Sequence, residues 1–364
     1  MTPITEVEGR RLALSNLDKV LHPATGTTKG ELLHYYATVG AAILPHLRDR
    51  PVSFLRYPDG PDGQLFFTKN PPPGTPAWVN TTPVPRSDAP RARQVMIQDL
   101  PSLMWAANLV VEFHTPQWRE DSPAVADRLV LDLDPGPPAT VVECCRVALH
   151  LRERLAADGL TACVKTSGSK GLHLLVPLVP TPSDRVSAYA RRLAVEAEAA
   201  LPRLVVHRMA KALRPGKVFV DHSQNAAAKT TATPYTLRAR RLPTVSAPVT
   251  WDEVREAAEA RDAGGAGTGG SRGRGRTDGR DGKDGRDGRD GQGRRGGRRA
   301  PAGAEGTDAA GGSTAGAAAA AAAAAAVGAP DPLVFLMDDI APRLETYGEL
   351  LAPLFDPDAA GVLP

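Results

Sequence analysis

The chain has 364 residues and a formal net charge of +3, so charge alone does not identify a nucleic-acid-binding protein. Lys and Arg are nonetheless concentrated in two regions, within 261–330 and between His207 and Arg241, where a polyanion could bind. The three cysteines, two of them adjacent at Cys144 and Cys145, suit neither a disulfide framework nor a zinc site, and no apolar stretch is long enough to span a membrane. We therefore expect the cysteines to be small buried residues of a cytoplasmic protein that makes no membrane contact.

The composition changes sharply within 261–330, where Gly, Arg, Asp and Ala dominate. The GRDGRDG repeats and the alanine run bury too little apolar surface to offset the entropy of ordering, so we predict a disordered low-complexity insertion there. A collagen triple helix is excluded because the triplets are few and poor in proline. The predicted organisation is a folded domain over 1–260, the insertion over 261–330, and a C-terminal segment over 331–364 that packs back on the domain.

Hydrophobic periodicity and turn residues predict the elements of the first half of the chain. A helix is predicted from Thr28 to Leu47, with Thr28 as its cap and Pro45 ending the pattern. After it we predict strands at Pro51–Arg56 and Gln64–Thr68, a hairpin region up to Gln98, a helix at Leu100–Asn108 and a strand at Val110–His114.

Strands and helices alternate more regularly in the second half. After a strand in RLVLDLDPG, we predict a helix at Ala139–Asp158, strands at Ala162–Thr166 and His173–Pro177, a helix at Ser183–Leu201 and a strand at Val218–Asp221. Alternating elements combined with several hairpins indicate an α/β (α+β) layered fold with a mixed sheet rather than an all-parallel one.

The segment RLVLDLDPG places two aspartates in an otherwise apolar strand. Because side chains alternate between faces, Leu129, Leu131 and Leu133 can point into a core while Asp132 and Asp134 share the opposite face. Two ionised carboxylates roughly 6–7 Å apart repel each other unless a cation lies between them. Mg²⁺ or Mn²⁺ suits such oxygen ligands, but an edge strand with a solvated polar face explains the pattern equally well.

A third strand-borne carboxylate, Asp221, ends the apolar strand in GKVFVDHSQN. Two carboxylates that bridge two divalent ions and a third that holds one of them are what two-metal nucleotidyl transfer requires. Downstream, Lys229, Arg238 and Arg240 could neutralise a triphosphate or a nucleic-acid backbone, although a solvated basic face accounts for each of them singly.

The segment KTSGSKGLHLLVPL contains a Gly-rich turn with polar side chains. Gly168 and Gly171 allow a tight turn with exposed N–H groups, while Ser167, Lys170 and His173 add donors, as expected of a phosphate-binding nest. The order of residues is not that of a Walker A loop. The alternative is a plain hairpin turn in which the histidine is an ordinary strand residue.

Eight motifs occur together in one order. They are NLDKVLHP, GTTKGEL, LFFTKNPP, VEFHTP, LVLDLDP, TSGSKGLH, LRPGKVFVDHSQN and KTTATPYTLRAR. This set resembles the primase-like polymerase domain of bacterial DNA ligase D, a family of the archaeo-eukaryotic primase superfamily that serves non-homologous end joining. The resemblance covers roughly 4–256 and resumes near 331–357. It implies a primase-polymerase fold with a mixed, largely antiparallel central sheet flanked by helices.

The resemblance also assigns expected roles to individual residues. The expected metal-binding and catalytic residues are Asp132, Asp134 and Asp221. The expected nucleotide-binding residues are His114, Ser167, Lys170, His173, Lys229, Arg238 and Arg240. The expected DNA-binding residues are Lys19 and Lys29, for the 5′-phosphate of a downstream strand, and Phe66 and Phe67, which would stack on template bases. Without the family, the Phe pair would be interpreted as one core and one surface residue of a strand.

The implied function is template-directed nucleotidyl transfer at gapped or broken DNA, with two Mn²⁺ or Mg²⁺ ions and a preference for ribonucleotides. Expected partners are DNA ends with a 5′-phosphate, nucleoside triphosphates, a Ku-like end binder and, since the chain contains no ligase or nuclease motif, a separate DNA ligase. The 261–330 insertion departs from the family pattern. Two alternatives remain: a primase that starts chains de novo, and a non-catalytic DNA-end binding module, against which the three aspartates argue because they would repel DNA phosphates.

Overall fold

The computed structural model of the protein describes residues 4–84, 92–260 and 332–364. Its strands are β1 (Ile4–Val7), β2 (Arg10–Ala13), β3 (Val20–His22), β4 (Thr27–Thr28), β5 (Pro51–Arg56), β6 (Phe66–Thr68), β7 (Thr81–Pro83), β8 (Arg93–Met96), β9 (Val111–Thr115), β10 (Val125–Pro135), β11 (Cys163–Thr166), β12 (Leu172–Pro182), β13 (Val205–Val206), β14 (Val218–Asp221), β15 (Thr231–Ala232) and β16 (Pro248–Val249). The α-helices in these ranges are α1 (Lys29–Thr38), α2 (Gly40–Leu47), α3 (Leu100–Ala107), α4 (Val141–Ala157), α5 (Ser183–Ala200), α6 (Trp251–Glu259) and α7 (Met337–Tyr347).

The first of two six-stranded sheets in the described residues has the order β13-β14-β10-β12-β11-β16. Its neighbours are antiparallel except β13 and β14, which are parallel. The strand that contains RLVLDLDPG, β10, lies in the interior of this sheet between β14 and β12. The alternative that this segment is an edge strand is therefore wrong.

One face of β10 contributes to a hydrophobic core, as its alternation predicts. Leu129, Leu131 and Leu133 are fully buried there together with apolar side chains of α4 and α5. Cys144 and Cys145 of α4 are buried free thiols in the same core, which confirms their predicted packing role. The opposite face of β10 is consequently the one that presents Asp132 and Asp134.

The second sheet has the order β15-β9-β5-β8-β7, and β6 pairs with the last three residues of β5, Phe54–Arg56. Its core contains Phe54 and Phe113, and apolar side chains of α1, α2 and α3 pack into it. The predicted α/β class with largely antiparallel pairing is confirmed. The strands nevertheless divide between two large sheets rather than joining one central sheet.

The first predicted helix is divided in two. Thr28 caps α1 with a reciprocal capping box to Glu31, which confirms the predicted start. The helix ends at Thr38, however, and α2 begins at Gly40, where an added Cβ would lie 3.0 Å from a methyl carbon of Leu100 in α3. Pro45 does not end the helix but lies inside α2, which continues to Leu47. Its missing N–H removes only one hydrogen bond of that short helix.

The other predicted elements are confirmed with small shifts at their ends. The largest shift is in β12, which extends to Pro182 and leads directly into α5, whereas the predicted strand ended at Pro177. Leu333 and Leu363 lie in the core beneath α4 and α5, and Ile340 of α7 lies in the other core. The predicted disordered insertion, 261–330, lies outside the described residues.

The apolar face of β10 should be essential for stability. We expect Leu131→Ala to lower the free energy of unfolding by about 2–5 kcal/mol, because it opens a cavity in a fully buried core. Urea denaturation followed by circular dichroism measures this change. The matched control, Val195→Ala on the exposed side of α5, should change it by no more than about 0.5 kcal/mol. Equal effects for both variants would contradict the assigned core.

Candidate active site

A row of ionisable side chains crosses the polar face of the first sheet. In the strand register Asp132 of β10 pairs with Asp221 of β14 on one side and with His173 of β12 on the other, and His173 pairs with Lys165 of β11. Directly paired side chains point to the same face, with neighbouring strands about 4.8 Å apart. Asp134 lies two residues farther along β10 and so shares this face. The register therefore brings together all three predicted carboxylates.

Asp132 and His173 form a close pair. Oδ1 of Asp132 lies 3.3 Å from Nε2 of His173, and both side chains are largely buried. Burial alone would raise the pKa of Asp132, but attraction to His173, Lys165 and Arg238 outweighs burial and lowers it. Burial lowers the pKa of His173, chiefly because the charged ring would lose its water. Asp132 is accordingly held as a carboxylate beside a histidine whose neutral form is favoured.

Asp221 is fixed by the turn that follows it. Its Oδ1 accepts hydrogen bonds from the backbone N–H and hydroxyl of Ser223, at 2.9 and 2.6 Å, and its Oδ2 accepts one from Nε2 of Gln224 at 2.9 Å. Asp221 thereby caps a short 3-10 helix, His222–Asn225. The carboxylate has a defined orientation at the end of β14.

Asp134 is the carboxylate of the three whose ionisation is disfavoured. Burial and the negative charges of Asp132 and Asp221 raise the pKa of Asp134 to about 7. Within the described residues, no group of three or more His, Cys, Asp or Glu side chains is arranged so that it could hold a metal ion. The site thus concentrates negative charge on one face without being a preformed metal centre.

The predicted phosphate loop is the hairpin connection between β11 and β12. The backbone N–H of Ser167 donates to the carbonyl of Gly171 at 2.8 Å, and the hydroxyl of Ser167 accepts from the N–H groups of Ser169 and Gly171 at 3.2 and 3.1 Å. A Cβ on Gly171 would lie 1.8 Å from the carbonyl oxygen of Leu133, so only glycine fits against β10. The hairpin alternative describes the backbone correctly, and the loop abuts the end of the strand that bears Asp132.

Glu112 links residues of the second sheet to this loop. Its Oε2 accepts a hydrogen bond from Nε of Arg238 at 2.9 Å and lies 3.0 Å from Nε2 of His114, and its Oε1 accepts from the N–H of Ala239 at 2.6 Å. A guanidinium N–H of Arg238 also donates to the carbonyl of Ser167. Although burial opposes ionisation, these partners lower the pKa of Glu112 to about 2. His114 and Arg238, both predicted site residues, are thus brought together by a carboxylate.

Sequence reasoning missed two buried residues here, Glu112 and Lys165. Lys165 is 1% exposed and donates from Nζ to the hydroxyl of Ser246 at 2.5 Å; burial lowers its pKa well below the usual range. Lys165 opens the Gly-rich motif and Glu112 precedes His114 by two residues on the same strand face. That period-two spacing was the available signal for Glu112.

The remaining nucleotide-binding candidates lie nearer the surface. Lys170 is exposed at the hairpin tip, and Lys229 is exposed just before β15. Arg240 is also exposed, and its backbone N–H donates to the carbonyl of Arg238 at 2.8 Å. The structure does not fix these three side chains in the way that it fixes Arg238.

Phe66 and Phe67 form an apolar surface beside the site. They are 42% and 55% exposed, so the interpretation of one core and one surface residue is wrong. The ring of Phe67 meets that of His114 edge-on, with centroids 6.1 Å apart. The exposed pair is therefore continuous with the cluster around Glu112.

Lys19 and Lys29 are neighbours through the β3–β4 hairpin. The backbone N–H of Lys29 donates to the carbonyl of Lys19 at 2.8 Å. Lys19 is exposed and pairs with Asp59 at 2.6 Å, whereas Lys29 is buried, with Nζ 3.5 Å from the hydroxyl of Ser15. Burial, and then repulsion from Lys19, lower the pKa of Lys29 to about 8.

The repulsion at Asp134 should make stability depend on pH. Because the pKa of Asp134 is raised to about 7 by folding, the folded state holds the proton more tightly, and the stability contributed by this group falls as pH rises from about 4 to about 7. We expect Asp134→Asn to gain thermal stability over the wild type across that window, in buffer with a chelator. Differential scanning calorimetry measures the gain, with the exposed Asp252→Asn as the matched control. A gain of equal size in both variants, or no gain in Asp134→Asn, would contradict the prediction.

The sequence and the fold match known proteins. Residues 28–265 match the family model described as LigD, primase-polymerase domain. The chain is 43% identical over 250 residues to the multifunctional non-homologous end joining protein LigD of Mycolicibacterium smegmatis, covering 68% of this chain and 33% of that protein. It is 31% identical over 250 residues to the bifunctional non-homologous end joining protein LigD of Bacillus subtilis, covering 68% of this chain and 40% of that one.

A solved structure gives the same result. The polymerase domain of Mycobacterium tuberculosis ligase D in complex with DNA aligns with a TM-score of 0.66 and 43% identity, covering 68% of this chain and 90% of that one. The chain spans about a third of the length of the mycobacterial relatives that it matches. On the family match and these identities, the chain belongs to the LigD primase-polymerase domain family.

Proposed function

We propose that the protein is a template-directed nucleotidyltransferase that fills gaps and extends ends of broken DNA in non-homologous end joining. The observation that carries the proposal is the strand register, which pairs Asp132 with Asp221 and places Asp134 on the same face. The relatives are named for end joining, and the solved neighbour is a polymerase domain in complex with DNA. Carboxylates collected beside a hairpin with phosphate-binding chemistry suit phosphoryl transfer.

The donor set fits two divalent cations, Mn²⁺ or Mg²⁺. All three donors are carboxylates, which such hard ions prefer, and the mutual repulsion that raises the pKa of Asp134 would be relieved by positive charge. Asp132, Asp134 and Asp221 would hold the ions. Asp132 now contacts His173 and Asp221 caps its turn, so both side chains need to reorient to converge. When bound, the ions supply charge neutralisation and activation of the attacking hydroxyl.

The chain's own residues hold the nucleotide in this mechanism. The triphosphate lies along the hairpin loop, with contacts from Ser167, Lys170, His173, His114, Lys229, Arg238 and Arg240. Arg238 is the cation whose position is most defined, because Glu112 and the Ser167 carbonyl both orient its guanidinium. The primer 3′-OH attacks the α-phosphate in line with the pyrophosphate leaving group, and pyrophosphate departs along the cationic side chains.

Two features of the chain bind the DNA. Lys19 and Lys29 hold the 5′-phosphate of the downstream strand, and the exposed Phe66 and Phe67 stack on template bases at the break. We further propose a preference for ribonucleotides, a Ku-like end binder and a DNA ligase as partners, and action at the nucleoid in the cytoplasm. No helix in the described ranges has the length and apolar character needed to cross a membrane. Residues 1–260 form the polymerase domain, with 331–364 completing it beyond the insertion.

The proposed chemistry predicts a loss of activity from one carboxylate. We expect the wild type to add a nucleotide to a primer at a one-nucleotide gap with Mn²⁺, and Asp132→Asn to lose at least about 100-fold in rate, since one of the carboxylates that would hold the divalent cations is lost. Gel-based primer extension measures the rate, and Asp252→Asn on the exposed side of α6 is the matched control.

The alternatives give different results in the same assay. Chain synthesis without a supplied primer would favour a de novo primase. Binding of gapped DNA without any nucleotide addition would overturn the polymerase proposal and favour an end-binding module. An unchanged extension rate for Asp132→Asn would show that this carboxylate is not needed for the reaction and would contradict the proposed mechanism.

The two lysines should make extension depend on the downstream 5′-phosphate. We expect Lys29→Ala to abolish the rate advantage of a phosphorylated over an unphosphorylated gap, while Arg255→Ala, which removes an exposed cation of α6, preserves it. In the wild type the advantage should decline between about pH 7 and about pH 9, because the pKa of Lys29 is about 8 and its charge is lost above that value. If Lys29→Ala kept the rate advantage of the phosphorylated gap, the 5′-phosphate would have to bind at another site.

A further inference from the structure

Glu112 is a buried carboxylate that the mechanism above does not use as a ligand. It lies on β9, where Val111 and Phe113 point into the second core while Glu112 and His114 share the opposite face. It is only 2% exposed and sits among ionisable groups. A buried ion pair of this kind adds little net stability compared with apolar side chains of similar volume, so stability alone does not explain it.

Both oxygens of Glu112 are engaged by groups of the nucleotide site. Oε1 accepts from the N–H of Ala239, and Oε2 accepts from Nε of Arg238 while lying 3.0 Å from Nε2 of His114. A carboxylate can only accept, so Nε2 of His114 must carry the proton of this hydrogen bond. The neutral ring of His114 then has its Nδ1 as an acceptor. Glu112 thus selects the tautomer as well as the orientation of the ring.

The same carboxylate sets the position of Arg238. With Nε on Glu112 and an N–H of the guanidinium on the Ser167 carbonyl, Arg238 connects β9 to the hairpin between β11 and β12. The planar guanidinium is therefore fixed at two of its edges. The Thr244 hydroxyl holds the next residue of the hairpin through the carbonyl of Gly168 at 2.6 Å. Loss of Glu112 would therefore free the guanidinium of Arg238, which bonds the hairpin at Ser167.

We propose that Glu112 is a positioning residue for the incoming nucleotide: it fixes the His114 tautomer and holds Arg238 against the phosphate-binding hairpin. This inference rests on the proposed nucleotidyltransferase function. Glu112 touches neither the nucleotide nor the reacting atoms, and it acts through His114 and Arg238. The expected consequence is that its charge matters for nucleotide binding and rate but not for DNA binding.

The test compares Glu112→Gln with the wild type. The amide keeps the size of the side chain and can accept from Arg238, but it loses the charge and can donate as well as accept. We expect a rise of about 10-fold or more in the KM for the nucleotide, with gapped-DNA affinity unchanged. Two-bond ¹H–¹⁵N correlation spectra should show His114 protonated on Nε2 in the wild type and a mixture of tautomers in the variant. Glu112→Asp, which restores the charge, should recover the wild-type tautomer.

The matched control is Glu198→Gln on α5. Glu198 pairs with Nδ1 of His207 at 2.5 Å, so it repeats the carboxylate and imidazole chemistry on the helix-covered face of the first sheet. This variant should leave both the KM and the His114 spectrum unchanged. A KM shift of equal size in both variants would indicate a general effect of losing a carboxylate that pairs with a histidine and would overturn the proposal.

Failure of this inference is distinguishable from failure of the proposed function. If the wild type extends no primer, the nucleotidyltransferase proposal fails, and the His114 spectrum still tests the geometry. If Glu112→Gln extends with unchanged KM and kcat, the positioning role is overturned. If the variant does not fold, the wild-type spectrum decides alone, because a proton on Nδ1 of His114 would contradict the hydrogen bond on which the role depends.

Discussion

The strand register of β10 is the constraint on which the rest of the site depends. Asp132 stands opposite His173 on one side and Asp221 on the other, and a slip of one residue would turn the carboxylates into the apolar core and the leucines out of it. The fully buried leucines on the other face oppose any such slip. Hydrophobic packing therefore sets the positions of charges that repel one another. The site needs that rigidity because the charges themselves favour separation.

Local pattern was sufficient to predict much of the fold. The alternation in RLVLDLDPG gave the face of each aspartate, and the Thr28 capping box gave the start of the first helix. It could not predict the break at Val39 between α1 and α2, next to the glycine that packs against Leu100 of a later helix. Nor could it assign strands to two sheets, because pairing partners are far apart in sequence. Such features depend on tertiary contacts rather than on local propensity.

The candidate site shows the same division. Asp132, Asp134 and Asp221 are recognisable because a carboxylate is unusual in an apolar strand. Glu112 also lies in an apolar strand, and its spacing to His114 was the only local signal, because its partner Arg238 is 126 residues away. Lys165 lies in a predicted strand, but the sequence does not show that its side chain is buried. The roles assigned to Lys229 and Arg240 rest on their charge and on the family resemblance, because both side chains are exposed and the structure does not fix them.

The C-terminal segment has a consequence for how the chain folds during synthesis. The carbonyl of Phe335 accepts from the N–H of Val245, and Thr244 pairs with Leu336 and bonds the hairpin at Gly168. Leu333 and Ile340 fill places in the two different cores. The ribosome synthesises these residues after the rest of both cores, so neither core has all of its side chains until 332–364 has been translated. The earlier part of the domain is therefore expected to stay incompletely packed, with apolar surface open to chaperones, until 332–364 has been synthesised.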